Sequence, residues 1–415
     1  MSIVAPARAP WRVHLSWLAL TAAVVFLIDG PRIRWFDWEV TPTHNINLAE
    51  ALAWQKGTFD LDPPQREAAR LDGRLLNAFP PGFTFISYCA LRLSALVGGG
   101  DAFPPWLFRI LIGVAILIIP YATFARLTSK PLRAVLLTVA FLLGTPMLVM
   151  LSLCRIGGFF EVNHVLACCG LLLIAWDMLG ARKIWPSIIG LALAFWTRQL
   201  TLLYVPAIVW VGWTSSDRAR YKNVAIMLVG VALIVGVYLS MNAAKFDSPF
   251  DTGYLRIYEG RDDPIAVRAR AGFFRPAYIT ENMRFMLWEP PGVRLSGAGV
   301  DRAMNDFGAG IFWTCPLLIA VVATARQWWK DVARRALMLC SFAVMGMLLM
   351  YHNTGWRQPG YYRFALDFIP IWFAVLAPYA WSRRGFVFVV LCTVWSVWYF
   401  RFITFNNLAW AHLPG

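Results

Sequence analysis

Apolar runs recur along this chain from Trp17 to Phe405, with short polar connections between them. A helix needs about 20 apolar residues to cross roughly 30 Å of hydrocarbon. The pattern therefore predicts an all-α polytopic membrane protein that forms one domain over 1–415. Crossings are predicted near 15–29, 104–125, 132–151, 159–179, 184–196, 200–214, 222–241, 309–325, 333–351, 362–380 and 385–404. A shorter run, 82–97, contains Arg92, so about 11 to 12 transmembrane helices are expected.

Basic residues fall in clusters between these runs, and cytoplasmic loops carry such an excess of Lys and Arg. All the clusters can be cytoplasmic if 82–97 enters and returns, or lies along the interface. The clusters are Arg8/Arg12, Arg126/Lys130/Arg133, Arg182/Lys183, Arg218/Arg220/Lys222, Arg326/Lys330/Arg334/Arg335 and Arg383/Arg384. The first run lacks a small-residue cleavage site after it, which favours a retained helix over a cleaved signal.

This orientation places the two long polar connections, 30–81 and 242–308, outside the cytoplasm. The first has six basic and seven acidic residues, and the second has nine of each, so neither shows a cytoplasmic excess of positive charge. Within the first, Thr41 as N-cap, Pro42 at the first helical position and Gly57 as terminator predict an interfacial helix from about 42 to 56.

Composition agrees with a membrane protein. Hydrophobic residues make up 59% and charged residues 15% of the 415, the mean hydropathy is +0.56, and soluble domains carry roughly 25% charged residues. The net charge of +15 comes from the loop clusters, which argues against a nucleic-acid partner. Seven cysteines lie mostly inside apolar runs without CxxC spacing and are expected to be small buried residues.

The first candidate site residues are acidic. Asp37 and Glu39 lie two apart in a segment that also leads to His44 and Glu50. In an extended segment both carboxylates face one side, where they could accept a proton from a nucleophile or hold a divalent cation. The alternative is a pair of solvated charges at the headgroup level, because a D-x-E triplet is a weak motif.

Further candidates are ionisable side chains at helix ends, which are costly at membrane depth unless they are paired or functional. Arg155, Glu161, Asn163 and His164 form one group, in which Arg155 and Glu161 could neutralise each other. Arg198 has no acid nearby in sequence, so an anionic ligand is expected there. The segment from His352 to Arg363 adds Arg357, Tyr362 and Arg363, which could bind phosphate and sugar or form an ordinary interfacial belt.

Three stretches, in this order, are similar to the GT-C glycosyltransferase superfamily, which includes protein O-mannosyltransferases and aminoarabinose transferases. The first runs from the D-x-E triplet through Leu48-Ala49-Glu50-Ala51-Leu52 and Asp72-Gly73-Arg74 to Phe79-Pro80-Pro81-Gly82. The second is Lys245-Phe246-Asp247-Ser248-Pro249-Phe250-Asp251-Thr252-Gly253-Tyr254, and the third is Gly355-Trp356-Arg357-Gln358-Pro359-Gly360-Tyr361-Tyr362-Arg363.

The resemblance implies helices with an interfacial first external loop, and transfer of a sugar from a polyprenyl-phosphate carrier to a lipid, glycan or protein acceptor. It implies an active face outside the bacterial inner membrane. Asp37 and Glu39 match the catalytic acids, although relatives have adjacent acids or D-x-D. The resemblance assigns the carrier phosphate to Arg198, Arg357, Arg363 and His164; His44, Arg155, His352 and Tyr362 are further substrate-binding candidates. No cofactor is certain, and a divalent cation is possible.

Two other function classes remain open at this point. A transporter or lipid flippase also places ionisable residues within helices, but it often shows internal repeats, which this sequence lacks. A non-catalytic protein that binds a polyprenyl lipid would share the same features and would differ only in activity.

Overall fold

The computed structural model describes residues 11–33, 41–62, 64–65, 67–97, 104–128, 130–154, 159–215, 220–290, 293–296, 299–302, 308–353, 355, 358, 360–379 and 381–410. The α-helices are Trp11–Ile33, Ile46–Gln55, Gly82–Leu96, Pro105–Gly113, Ile119–Thr128, Pro131–Leu143, Met147–Cys154, Phe159–Trp176, Trp185–Phe195, Val205–Ser215, Arg220–Phe246, Pro264–Ala271, Ile279–Met283, Ile311–Thr314, Ile319–Ala323, Ala325–Trp328, Val332–Leu349, Ile369–Leu376 and Arg383–Trp410.

Shorter elements join these helices. Wider π-helical turns lie at Val114–Ile118, Asp177–Ala181 and Arg284–Trp288, and 3₁₀ turns lie at Gln199–Tyr204, Leu255–Tyr258, Pro276–Tyr278, Pro316–Leu318 and Arg363–Asp367. Two antiparallel hairpins pair Ala69–Leu71 with Arg74–Leu76 and Val293–Ser296 with Gly299–Arg302. The first hairpin turns at Asp72 and Gly73, both at positive φ, as a tight Asp-Gly turn requires.

Six helices in the described part of the chain are long and apolar enough to cross a membrane, so the chain is an integral membrane protein. They are Trp11–Ile28, Trp106–Thr128, Phe160–Ala181, Arg220–Phe246, Val332–Leu349 and Arg383–Phe402. A seventh span would combine Pro131–Leu143 with Met147–Cys154, which meet at a bend of 64°. The helix Gly82–Leu96 has 15 residues, fewer than the roughly 20 that a crossing needs.

Several predicted crossings are broken into short helices instead of running continuously. The run 309–325 is interrupted at Cys315 and Pro316, because proline cannot donate the backbone hydrogen bond that a continuing helix needs. The run 362–380 begins as a 3₁₀ turn and becomes an α-helix only at Ile369–Leu376, whose eight residues are all buried. Between 184–196 and 200–214 the chain is extended at Arg198.

The centre of the bundle depends on close packing between helices. Gly170 and Gly190 face each other across the helices Phe159–Trp176 and Trp185–Phe195, and a Cβ on Gly170 would lie 2.4 Å from the Gly190 oxygen. Small residues allow membrane helices to approach in this way. A larger side chain at either position would push the two helices apart.

The first polar connection contains the predicted helix, but it begins later than expected. The helix is Ile46–Gln55. The Thr41 hydroxyl does not cap it and instead bonds to the Thr43 hydroxyl and to His44 Nδ1, at 2.9 Å each. Asn45 is the N-cap, because its Oδ1 accepts from the backbone N–H groups of Asn47 and Leu48 at 3.1 Å each. Gly57, at φ +72°, lies just past the helix end as predicted.

The two polar connections pack together into one layer, here called the polar cap and defined as residues 41–81 and 246–290. Ile46, Phe79, Phe246, Ile257 and Ile265 belong to one buried apolar cluster drawn from both parts. Main-chain bonds from Arg275 N to Met350 O and from His352 N to Phe273 O, both 2.8 Å, tie the cap to the end of Val332–Leu349. The cap is therefore a folded unit rather than two separate loops.

A buried ion pair joins the cap to the longest span. Lys245, in the last turn of Arg220–Phe246, bonds to the carboxylate of Glu50 and also donates to the Asn77 carbonyl oxygen at 3.1 Å. The second carboxylate oxygen accepts from Asn77 Nδ2 and Thr84 Oγ1 at 2.7 Å each. Because both charges are fully buried and hydrogen-bonded, the pair fixes the position of the first helix of the cap.

Replacing Glu50 by Gln, or Lys245 by Met, leaves one buried charge unpaired, which costs on the order of 3–5 kcal/mol. Each single variant should therefore lower the unfolding temperature of the detergent-solubilised protein, and Glu50→Gln/Lys245→Met should recover part of that loss. Thermal unfolding followed by intrinsic fluorescence measures both effects.

The matched control is Lys56→Met, which removes a surface partner of Asp62 at 3.5 Å. That exposed pair should contribute less than about 1 kcal/mol. A double variant as unstable as the sum of the two single variants would contradict the ion-pair account.

Candidate functional site

Arg198 lies at a break between two helices and points into the bundle. Its Nε lies 3.0 and 3.2 Å from the two carboxylate oxygens of Asp367, and its Nη2 lies 2.8 Å from Oδ2. The Asp367 side chain is 0% exposed and the Arg198 side chain 20%. Arg198 has no acidic neighbour in sequence, as noted above, but the fold brings to it a carboxylate from 169 positions away.

The Phe79-Pro80-Pro81-Gly82 stretch supports this break. Gly82 N donates to the Trp196 carbonyl oxygen at 2.6 Å. A Cβ at residue 82 would lie 2.6 Å from the Thr197 side chain and 2.7 Å from that oxygen. Glycine at this position lets the start of the helix Gly82–Leu96 lie directly against the extended segment that presents Arg198.

Asp367 also contacts two other segments. His164 Nδ1 lies 3.8 Å from Asp367 Oδ1, and Tyr204 Oη donates to the Asp367 backbone oxygen at 3.1 Å. The structure thus brings together His164, Arg198 and the 3₁₀ turn Arg363–Asp367 at one point in the bundle. Asp367 is a site residue that the sequence analysis missed, since it lies inside an apolar run, four residues beyond the end of the third stretch at Arg363.

The ring of Phe364 lies between the two arginines of this cluster. The guanidinium carbons of Arg198 and Arg363 lie 5.2 and 5.3 Å from its centroid, distances at which a cation is attracted to an aromatic face. Arg363 Nη1 is 3.9 Å from Glu161 Oε1, and Arg363 also lies over Phe160 at 4.9 Å. Glu161, for which neutralisation by Arg155 was one of two alternatives, lies beside Arg363.

Arg198 opens onto a cavity of about 470 Å³. Its walls are mainly apolar and come from the bundle: Phe195, Leu200, Leu202, Val235, Leu239 and Leu348. Residues from the polar cap and the end of Val332–Leu349 close it from the other side, namely Thr252, Tyr254, Phe273, Phe274 and Tyr351. The cavity therefore has an apolar wall formed by the membrane helices and a charged group, Arg198, at one end.

Tyr254 and Tyr351 both line this cavity. Burial raises the pKa of both phenols, so both remain protonated donors at neutral pH. His352 lies next to them: its Nε2 is 3.2 Å from Tyr258 Oη, and its ring packs against Phe273. Burial, with a smaller contribution from the charge of Arg268, lowers the pKa of His352 to about 3.

The remaining predicted residues differ in their placement. Tyr362 is fully buried and packs edge-on against Phe364, next to the Arg363 cluster. His44 is exposed and bonds to Thr41 and Thr43 in its own turn, so its contacts are not with the cluster. Asp37, Glu39, Arg155 and Arg357 lie outside the described residues. Within the described ranges, no group of three or more His, Cys, Asp or Glu side chains could hold a metal ion.

This arrangement suits an amphiphilic anion. An apolar tail would fit the cavity wall formed by the bundle, and a phosphate oxygen would fit beside the guanidinium of Arg198. Guanidinium groups recognise phosphate through planar, directed hydrogen bonds, and these bonds strengthen away from water.

Among solved structures, the archaeal oligosaccharyltransferase AglB from Archaeoglobus fulgidus, in complex with an inhibitory peptide and a dolichol-phosphate, is similar to this chain. The TM-score is 0.50 at 15% identity, over 95% of this chain and 55% of AglB, so this chain spans about half the length of that protein. No protein-family model matches the sequence. No curated protein matches it either. The likeness supports the predicted helical membrane fold.

A histidine whose folded pKa lies below its unfolded value of about 6.5 destabilises the protein as the pH falls, because the unfolded state binds the proton first. Stability should therefore decrease between about pH 6.5 and the folded pKa of about 3. At pH 5 the loss from His352 should be about 2 kcal/mol relative to pH 7. Unfolding temperatures of wild type and His352→Gln at pH 7 and pH 5 measure this difference.

The exposed His44 provides the matched control. His44→Gln should keep the wild-type pH dependence, whereas His352→Gln should flatten it. An identical slope in wild type and His352→Gln would show that His352 is not held neutral by burial.

Proposed function

We propose that this protein is a membrane glycosyltransferase of GT-C type, which moves a sugar from a polyprenyl-phosphate carrier to an extracytoplasmic acceptor. The observation that carries the proposal is Arg198, fixed by the buried Asp367 and facing a cavity with an apolar wall. An isolated arginine at this depth would be costly unless it were paired and had a function. Asp367 is its partner, and its function would be to bind an anionic lipid headgroup.

The donor lipid would lie with its tail against the bundle side of the cavity. Val235 and Leu239 belong to the span Arg220–Phe246, and Leu348 lies in the last turn of the span Val332–Leu349, so this wall lies within the membrane helices. The sugar would then lie towards the polar cap, near Tyr254 and Tyr351. This placement separates the apolar carrier from the hydroxylated group that is transferred.

The chemistry is an inverting displacement at the anomeric carbon. As the glycosidic bond breaks, negative charge grows on the phosphate, and a fixed guanidinium in a site with little water stabilises that charge strongly. Arg198 is already held by Asp367, so little reorganisation is needed as the charge develops. A carboxylate on the other side of the sugar deprotonates the acceptor hydroxyl, and we assign this role to Asp37 and Glu39.

The likeness to AglB supports a carrier of the lipid-phosphate kind, since that protein was solved with dolichol-phosphate and a peptide. We propose that the acceptor is a lipid, glycan or protein outside the bacterial inner membrane. The positions of basic residues agree with this orientation. In a predicted cytoplasmic cluster, Arg126 bonds to the Gly180 carbonyl oxygen and Arg133 lies over the Trp381 ring. Gly180 is about 30 Å from Glu161 along one span, so this basic cluster lies at the opposite end of the bundle from Glu161.

Arg198→Gln should reduce sugar transfer on the order of 100-fold, because it removes the charge that stabilises the leaving phosphate. The purified protein in nanodiscs is supplied with radiolabelled polyprenyl-phosphate sugars and cell-envelope acceptors, and the labelled product is counted. Arg284→Gln, at an arginine whose side chain is 66% exposed on the polar cap, is the matched control and should retain wild-type activity.

Wild-type transfer by a folded Arg198→Gln variant would refute the role of this residue. Movement of the labelled carrier across the bilayer without any change in the carrier itself would favour a transporter or flippase.

Asp37→Asn and Glu39→Gln test the base. Loss of a general base costs about 10² to 10⁴ in rate, so the variant at the true base should lose activity by that factor while still binding the carrier. Asp60→Asn, at an exposed acid of the same polar segment, is the control. If both acid variants transfer sugar like the wild type, the assignment of the base to this pair is wrong.

A further inference from the structure

The cavity wall contains a polar side chain that no step of the proposed reaction uses. Asn163 lies near the start of the helix Phe159–Trp176, is 3% exposed, and lines the same cavity as Arg198. Resting on the proposed function, we infer that Asn163 is a specificity-determining residue that hydrogen-bonds a hydroxyl group of the transferred sugar. Arg198 then contacts the phosphate and Asn163 contacts the sugar.

The amide of Asn163 has unused hydrogen-bonding capacity. Its Oδ1 is shielded from solvent and has no hydrogen-bond partner in the part of the chain that the structure describes. A buried amide oxygen without a partner costs free energy, and a ligand that supplies the missing bond removes that cost. A half turn of the amide exchanges Oδ1 and Nδ2, so a sugar hydroxyl can donate to the one or accept from the other.

Two other polar side chains of the wall are already hydrogen-bonded within the protein. Thr197 Oγ1 donates to the Leu193 carbonyl oxygen at 2.7 Å, and Gln199 Nε2 donates to Tyr238 Oη at 2.5 Å. The oxygen of Asn163 differs from these groups because it is unpaired. In ligand sites with mainly apolar walls, a few such polar groups fix the orientation of the ligand.

Aromatic rings connect Asn163 with the polar cap, on the side where the sugar is placed. Phe160 lies one helical turn before Asn163 and lines the same cavity. Its ring meets Phe79 edge-on at a centroid distance of 5.0 Å, and Phe79 meets Tyr254 edge-on at 5.5 Å. A sugar combines apolar C–H faces, which suit such rings, with hydroxyl groups, which suit the amide.

Asn163 also lies at the same end of the bundle as the phosphate site. His164, the next residue along the helix, has its Nδ1 3.8 Å from Oδ1 of Asp367, the carboxylate that holds Arg198. A sugar linked to a phosphate at Arg198 would therefore lie beside Asn163.

The first test separates a ligand-binding amide from a structural one by stability. Asn163→Leu removes an unpaired polar group and nearly keeps its shape, so the unfolding temperature of the full chain in detergent should equal or exceed that of wild type. Asn282→Leu is the matched contrast: Asn282 Nδ2 donates to the carbonyl oxygens of Leu349 and Tyr351 at 2.8 and 2.7 Å, so this substitution should lower the unfolding temperature.

The second test measures binding by thermophoresis with the full chain in nanodiscs. The probes are polyprenyl phosphodiesters of glucose, mannose and galactose, and a polyprenyl methyl phosphodiester with the same tail and charge but no sugar. Wild type should bind at least one sugar lipid about ten-fold more tightly than the methyl lipid. Asn163→Leu should remove most of this preference and leave the affinity for the methyl lipid unchanged. Asn223→Leu, near the other end of the span Arg220–Phe246, should keep the wild-type preference.

Three results would overturn the role of Asn163 and leave the proposed function standing: an Asn163→Leu variant that unfolds well below wild type, one that keeps the preference or binds all lipids more weakly to the same degree, or a wild type that prefers none of the three sugars to methyl. A wild type that binds none of the lipids would remove both.

Discussion

The structure depends on the buried ion pair between Arg198 and Asp367. Two charges inside a membrane bundle are tolerated only when they are paired and hydrogen-bonded, and here the carboxylate accepts three hydrogen bonds from one guanidinium. The pair needs irregular backbone on both sides: an extended residue at Arg198 and a 3₁₀ turn ending at Asp367. The same cavity that forms the site therefore explains why two apolar runs are interrupted. Non-helical backbone at membrane depth persists where it lines a cavity.

The polar cap completes the cavity that this ion pair faces. Its first helix is fixed by Glu50 and Lys245, and its second part is tied by main-chain bonds to the end of a span. Tyr254 and Tyr351 then meet beside Arg198, one from the cap and one from the bundle. The cavity thus combines an apolar wall with the guanidinium of Arg198 and the protonated phenols of Tyr254 and Tyr351. A lipid-linked sugar phosphate would require this combination.

Much of the fold follows from local sequence signals, and most of the site does not. The apolar runs predict the long spans because a crossing is a property of about 20 consecutive residues, and Gly57 marks a helix end because φ is positive there. Asp367 could not be found in this way, since its partner is 169 positions distant and its own surroundings are uniformly apolar. The N-cap is Asn45 and not the predicted Thr41, because the Asn45 side chain accepts from the first backbone N–H groups of the helix while the Thr41 hydroxyl bonds to Thr43 and His44.

We propose that Arg198, held by Asp367, binds the phosphate of a carrier lipid in the apolar cavity. A cryo-electron microscopy structure of the protein in nanodiscs with a polyprenyl phosphate tests it most directly. The account predicts phosphate density within hydrogen-bonding distance of Arg198 Nη1, the tail along Val235 and Leu239, and an intact Arg198–Asp367 pair. Phosphate density elsewhere, or a lipid that leaves this cavity empty, would contradict it.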